Sequence, residues 1–250
     1  MYGPTGAGAL AGMFEFLESR QRTAERMDAE DVDRRDLARS LRFLRRINRL
    51  LGYTRTTLKH LARFSRSWKP GERIDVLDVG TGSADIPRAI IRWGLRRGFD
   101  IHAVGVDRHP GVVAEATAGE AELNGRLRIV RADALALPLA DGSFDYAITQ
   151  TFLHHLDDEA VVAVLASMGR VARRGVVAAD LLRCRRAYLG VKLLSALANP
   201  VVRHDGPASV AQAFTPAEVA AMRDRAGLSF AKFYRHMGYR FVLAGEKIRR

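Results

Sequence analysis

The run from Ile74 to Asp85 limits what this chain can fold into more than any other stretch. Its first half, Ile74 to Val79, is short, apolar and rich in β-branched residues, with Asp78 near its end. That pattern reads as a buried parallel strand. Gly80 and Gly82 then permit a tight turn that brings bare backbone against a ligand. Pro87 sits in a segment whose apolar residues Ile86, Ala89, Ile90 and Trp93 recur at helical spacing, and it marks a helix entry. Strand, glycine turn and helix in that order predict a nucleotide-type site at the C-terminal edge of a doubly wound α/β sheet.

The residues of the turn restrict the nucleotide. A dinucleotide fingerprint places a third glycine three positions after the second, where the pyrophosphate meets the helix N-terminus. Here that position is Asp85, whose carboxylate repels a pyrophosphate, and no lysine follows to grip phosphate as in a P-loop. An acidic glycine turn suits a ligand with an adenosine half, a cationic centre and no phosphate; S-adenosylmethionine (SAM) meets that description. Asp78, Gly80, Gly82 and Ala84 resemble the first motif of class I SAM-dependent methyltransferases, acid-x-Gly-x-Gly-x-Gly, with Ala84 in place of the third glycine.

Later segments extend the resemblance. Ile101 to Asp107 reads as a second buried strand, ending in an acid where nucleoside-binding α/β folds hold both ribose hydroxyls. Leu127 to Ala134 is a third strand with its exit, and Phe144 to Thr149 a fourth, followed by Gln150 to His155. The Phe144-Asp145 entry and the His154-His155-Leu156 exit resemble methyltransferases of ubiquinone and menaquinone biosynthesis. The N-terminal cover, with the region from Arg203-His204-Asp205-Gly206 to Phe214-Thr215, resembles bacterial methyltransferases of small aromatic or polyketide-like molecules. Periodicity predicts helices over 31–68 with a break at Gly52 and a cap at Thr54, over Asp157 to Val171, and over Arg185 to Ala198. A fifth strand is expected over Gly175 to Asp180. A capping box at Thr215-Pro216-Ala217-Glu218 opens a helix that Gly227 ends, and two closing strands follow, around Phe230 to Tyr234 and Tyr239 to Ala244.

The fold implied is α/β, a doubly wound Rossmann-like seven-stranded sheet with an antiparallel last strand and an N-terminal helical cover. The expected organisation is a weakly ordered segment over 1–30, its first part a Gly- and Ala-rich tail, then the cover over 31–70 and the SAM-binding domain over 71–250. The chain has 250 residues, enough for one such domain with a full core. It shows no apolar run of membrane-spanning length and no secretory signal pattern. Cys184 is the single cysteine, which rules out an intrachain disulfide and a thiolate metal site and points to a cytoplasmic setting. No metal is expected. The net charge of +12 raises nucleic acid as a partner, yet the arginines are scattered over helix faces without interleaved aromatics for base stacking.

The resemblance implies roles for particular residues. Gly80, Thr81 and Gly82 form the turn, Asp78 orients the methionine amino group, and Asp107 holds ribose with Arg108 beside it. Asp133 and the Ala134 backbone read adenine between Leu135 and Leu137, and Gln150 meets the methionine moiety. The spent cofactor is S-adenosylhomocysteine (SAH). A phenolic acceptor, with an ordinary pKa of about 10, gains from a positioned base. The candidate catalytic groups are His154, His155 and His204, with Asp205 able to orient a histidine. No Asn/Asp-Pro-Pro-aromatic run follows the fourth strand, and Cys184 lies outside a Pro-Cys context, so base-amine and cytosine C5 methylation are disfavoured. The expected reaction is methyl transfer to a hydroxyl or activated carbon of a small aromatic, quinol or polyketide-like acceptor. The alternatives that stay open are an RNA methyltransferase, a non-catalytic SAM- or adenosine-binding regulator and, strained by Asp85, a NAD-dependent oxidoreductase.

Overall fold

The computed structural model describes residues 14–29, 31–118 and 123–248. Its helices are α1 (Arg34–Leu50), α2 (Tyr53–Phe64), α3 (Asp85–Leu95), α4 (Pro110–Thr117), α5 (Asp158–Val171), α6 (Arg185–Ser195), α7 (Pro200–Gln212) and α8 (Pro216–Arg225). Its strands are β1 (Arg73–Val79), β2 (Asp100–Asp107), β3 (Leu127–Arg131), β4 (Phe144–Gln150), β5 (Ala172–Leu181), β6 (Lys232–His236) and β7 (Arg240–Glu246). The sheet order is β3-β2-β1-β4-β5-β7-β6. Strands β1 to β5 pair in parallel, and β7 lies antiparallel to both β5 and β6. The order therefore reverses between β1 and β4, which places a crevice beyond their C-terminal ends.

Alternation along the central strands builds two cores. Ile74, Val76, Tyr146, Ile148, Val177 and Val242 face α2 and α3, while Leu77, Val79, Ala147, Val176, Phe241 and Leu243 share the other core with α5 and α8. Tyr146 ties the first core together. Its ring stacks on Phe64, and its hydroxyl accepts from Trp68 Nε1 at 2.8 Å and donates to Glu246 at 2.7 Å.

The two cover helices divide their work. Asp33 caps α1, and Gly52, with φ of +73°, turns the chain into α2. Thr54 lies inside α2 and does not cap it. Helix α2 packs Leu61 and Phe64 on the sheet, whereas α1 lies over the crevice.

Three expected boundaries shift for physical reasons. Strand β5 starts at Ala172, directly after α5, because Arg173 and Arg174 pair with the fully buried Asp145 and draw that stretch into register with Phe144. Helix α6 stops at Ser195, and α7 begins after Asn199, whose side chain accepts from Val202 N. Arg203 to Gly206 are helical within α7. The segment expected to be weakly ordered is packed from Phe14 onward. Phe14 and Leu17 are buried, and Arg20 donates to the carbonyls of Gln212, His154 and Leu156. The Gly- and Ala-rich tail, Met1 to Gly12, lies outside the described residues.

Candidate active site

The glycine turn is stapled between two carboxylates. Asp78, at the end of β1, accepts from Thr81 Oγ1 at 2.7 Å, and Asp107, at the end of β2, accepts from Gly82 N and His109 N at 3.0 Å each. Gly80 (φ +69°) and Gly82 (φ +53°) supply the left-handed backbone this needs, and Ala84 adopts it at the third glycine position. A Cβ on Gly80 would lie 2.2 Å from the Phe152 ring. The turn, α1 and the exits of β3 and β4 enclose a cavity of about 220 Å³. Asp78, Gly80, Thr81, Gly82, Asp85, Asp107, Arg108, Asp133, Ala134 and Gln150 all line it. The turn residues and the polar groups expected at the cofactor are thus brought to one cavity.

Each group keeps chemistry to offer there. Burial lifts the Asp78 carboxyl to about 7, with Asp85 and Asp107 adding to the rise against the Thr81 hydrogen bond. Burial also raises Asp107, although the His109 and Gly82 amides oppose it. Asp133 Oδ1 accepts from Leu135 N, which shapes the loop after β3. Leu135 lines the cavity, whereas Leu137 is buried in the core and does not. Gln150 is buried and accepts from Thr57 Oγ1 at 2.6 Å, while its Nε2 has no hydrogen-bond partner among the described residues. A buried orphan donor on a cavity wall calls for a ligand acceptor. The donor set fits SAM: carboxylates for an amine and for ribose hydroxyls, an amide donor for a carboxylate, and no basic cluster at the turn for phosphate.

A second cavity of about 160 Å³ opens beside the first, and Met27, Leu44, Asn48, Thr151 and His155 belong to both walls. Phe43, Ile47, Leu51, Val191 and Leu194 make its lining largely apolar, and among the described residues no lysine or arginine contributes. Thr151 holds φ at +50°, a conformation unusual for a β-branched residue, where the two cavities meet.

His154 stands in the wall of the second cavity. Its Nδ1 lies 2.7 Å from Asp180 Oδ1 and its backbone N–H donates to Asp180 Oδ2, so the ring is fixed at two points. A carboxylate at Nδ1 sets the orientation of the ring and turns Nε2 away from Asp180. Burial opposes the charge of Asp180, but the charge and hydrogen bond of His154, with backbone amides, hold the carboxyl below its ordinary value. His155 Nδ1 pairs with Asp28 at 2.8 Å. Burial works against its charge, yet Asp28 and Glu25 raise it to about 9. Glu25, buried and accepting from Ser209 and Gln212, lies 3.7 Å from His154 Nε2 and is itself raised by burial. Glu25, His154 and His155 each offer one metal-ligand atom, all within 4.8 Å of one another, a grouping spread too far along the chain for sequence spacing to reveal.

His204 and Asp205 do pair, Nδ1 to Oδ1 at 2.8 Å, but the histidine of that pair stands away from both cavities. Asp205 accepts from Arg26 N and Met27 N and so caps the N-terminal segment, and His204 is exposed on α7 and lines neither cavity. Asp180 takes the orienting position instead. Its signal was an acid at the tip of the fifth strand, the same signal that marked Asp107. Glu25 and Asp28 carried no signal, because no periodic or turn pattern singles them out.

Residues 76–175 match the family model described as "Methyltransferase domain". Over that stretch, which runs from β1 into β5, the chain is similar to methyltransferase domains. An O-methyltransferase of Pyrenophora dematioidea is 34% identical over 125 residues, 50% of this chain and 43% of that protein. A demethylmenaquinone methyltransferase of Roseiflexus sp. (strain RS-1) is 38% identical over 106 residues, 42% of this chain and 41% of that protein. The chain thus spans less than half the length of these curated relatives. Among solved structures, magnesium protoporphyrin IX methyltransferase from Synechocystis PCC 6803 with bound SAH superimposes with a TM-score of 0.56 at 17% identity, covering 79% of this chain and 84% of that one. This likeness is one of fold.

Proposed function

We propose that the protein is a SAM-dependent methyltransferase that modifies a hydroxyl or activated carbon of a small aromatic, quinol or polyketide-like acceptor, with His154 as general base. The observation that carries this reading is the His154–Asp180 pair in the wall of a largely apolar cavity joined to the glycine-turn cavity.

Bound at the turn, SAM supplies an electrophilic methyl group on a sulfonium. Asp78 is the group for its amine, Asp107 for ribose, Asp133 with the Ala134 backbone for adenine, and Gln150 Nε2 for an acceptor oxygen on the methionine half. The apolar second cavity excludes water and seats the acceptor ring. His154 Nε2 takes the proton from the acceptor hydroxyl, so that this oxygen, or the ring carbon conjugated to it, can accept the methyl group as the bond from methyl to the sulfonium sulfur breaks and SAH is left. Asp180 stabilises the imidazolium that results and keeps the ring aimed. Alignment of acceptor and donor carries most of the remaining acceleration. The lack of lysine and arginine among the described residues lining the second cavity speaks against an RNA strand as acceptor.

The test is incubation with SAM and a panel of phenols, naphthols and quinols, followed by mass spectrometry, for wild type and His154→Gln. One or more acceptors should gain a single methyl group, and the variant should lose about 10²–10⁴-fold in kcat. A variant as fast as wild type across the pH range would remove His154 from the mechanism.

A further inference from the structure

We propose that the outer face of α6 and the C-terminal end of α1 dock on an anionic phospholipid bilayer, at the place where the second cavity opens. On α6 and just beyond it, Leu189, Leu193 and Leu197 follow at four-residue steps and are 52%, 77% and 98% exposed. Leu194 beside them is 47% exposed, and Leu50 and Leu51 at the end of α1 are 79% and 37% exposed. Leu51 and Leu194 also line the second cavity, so the two groups of leucines meet around its mouth. A soluble surface rarely leaves so many large apolar side chains together without a partner.

Charge identifies that partner. No acidic residue occurs from Arg185 to Asn199, and Arg185, Arg186 and Lys192 are exposed there. On α1, Arg42, Arg46 and Arg49 are exposed, with Leu50 one helical turn beyond Arg46. Among the described residues no ion pair engages Arg42, Arg46, Arg49, Arg186 or Lys192. Leucines interspersed with unpaired cations and free of acids suit a surface lying in the headgroup layer, with the leucines at the acyl boundary and the cations on phosphate. A second copy of this chain would bring like charge onto like charge at the same patch. Resting on the acceptor chemistry proposed above, this placement lets a lipophilic acceptor pass from bilayer to cavity without crossing water.

The experiment is flotation of the full chain with vesicles of phosphatidylcholine alone or mixed with phosphatidylglycerol. The protein should float with the anionic vesicles and be released by salt. Leu193→Glu with Leu197→Glu should weaken that binding by about tenfold or more, and Arg46→Glu with Arg49→Glu should remove its salt dependence. Unchanged SAH affinity in both variants reports that they fold. Failure of the wild type to float, flotation of the leucine variant at the wild-type level, or a solution dimer that the leucine variant dissociates would overturn the proposal. The assay contains neither methyl donor nor acceptor, so it stands or falls apart from methyl transfer.

Discussion

With Asp78 lifted to about 7, its charge varies across the neutral range, and a cationic amine binds its ionised form. Affinity for SAM should therefore rise with pH and level off above about 7, with proton release on binding at lower pH, as calorimetry in two buffers would detect. Asp78→Asn should flatten that profile and weaken binding about tenfold or more. Asp107→Ala should weaken SAH binding by a similar factor, and unchanged affinity would count against its ribose role. At the base, Asp180→Asn should cut kcat by about 10²-fold or more while leaving KM for SAM nearly unmoved. The histidine was readable because strand four leaves through it. Its partner was not, since Asp180 lies 26 residues on and only the pairing of β4 with β5 brings them together. Sequence adjacency pointed to Asp205, whose carboxylate takes His204 Nδ1 and the backbone N–H groups of Arg26 and Met27.

The glycine turn is the element on which the cofactor cavity depends. Gly80→Ala puts a methyl group within 2.2 Å of the Phe152 ring and asks an L-residue to hold φ of +69°, so turn and ring cannot both keep their places. A loss of about 1–3 kcal/mol in stability is expected from denaturant unfolding, together with loss of SAH binding. The strands β1, β2 and β4 and the helix α3 were legible because their apolar periods, glycines and strand-end acids agree with one another. Helix α7 was not, because Gly206 and Pro207 sit inside it and normally signal a break. The start of β5 escaped for a tertiary reason, the buried Asp145 that claims Arg173 and Arg174.

Across the whole molecule, the N-terminal strap from Phe14 to Asp28 closes the site, held by Arg20 on four backbone carbonyls and by Glu25 and Asp28 beside the histidines. Its composition gave no pattern to read, because its order comes from contacts made with elements far along the chain. The raised pKa of His155, about 9 against an ordinary 6.5, gives this closure a pH dependence. Stability from that group is complete below about 6.5 and is lost as pH rises through about 9, a fall on the order of 2–3 kcal/mol in denaturant unfolding. His155→Gln should lower the plateau and flatten the fall. The most direct test of the account as a whole is calorimetric titration of the purified chain with SAH and, separately, with NAD. Saturable binding of SAH, with no heat from NAD, is the predicted result. Binding of NAD with none of SAH would contradict it.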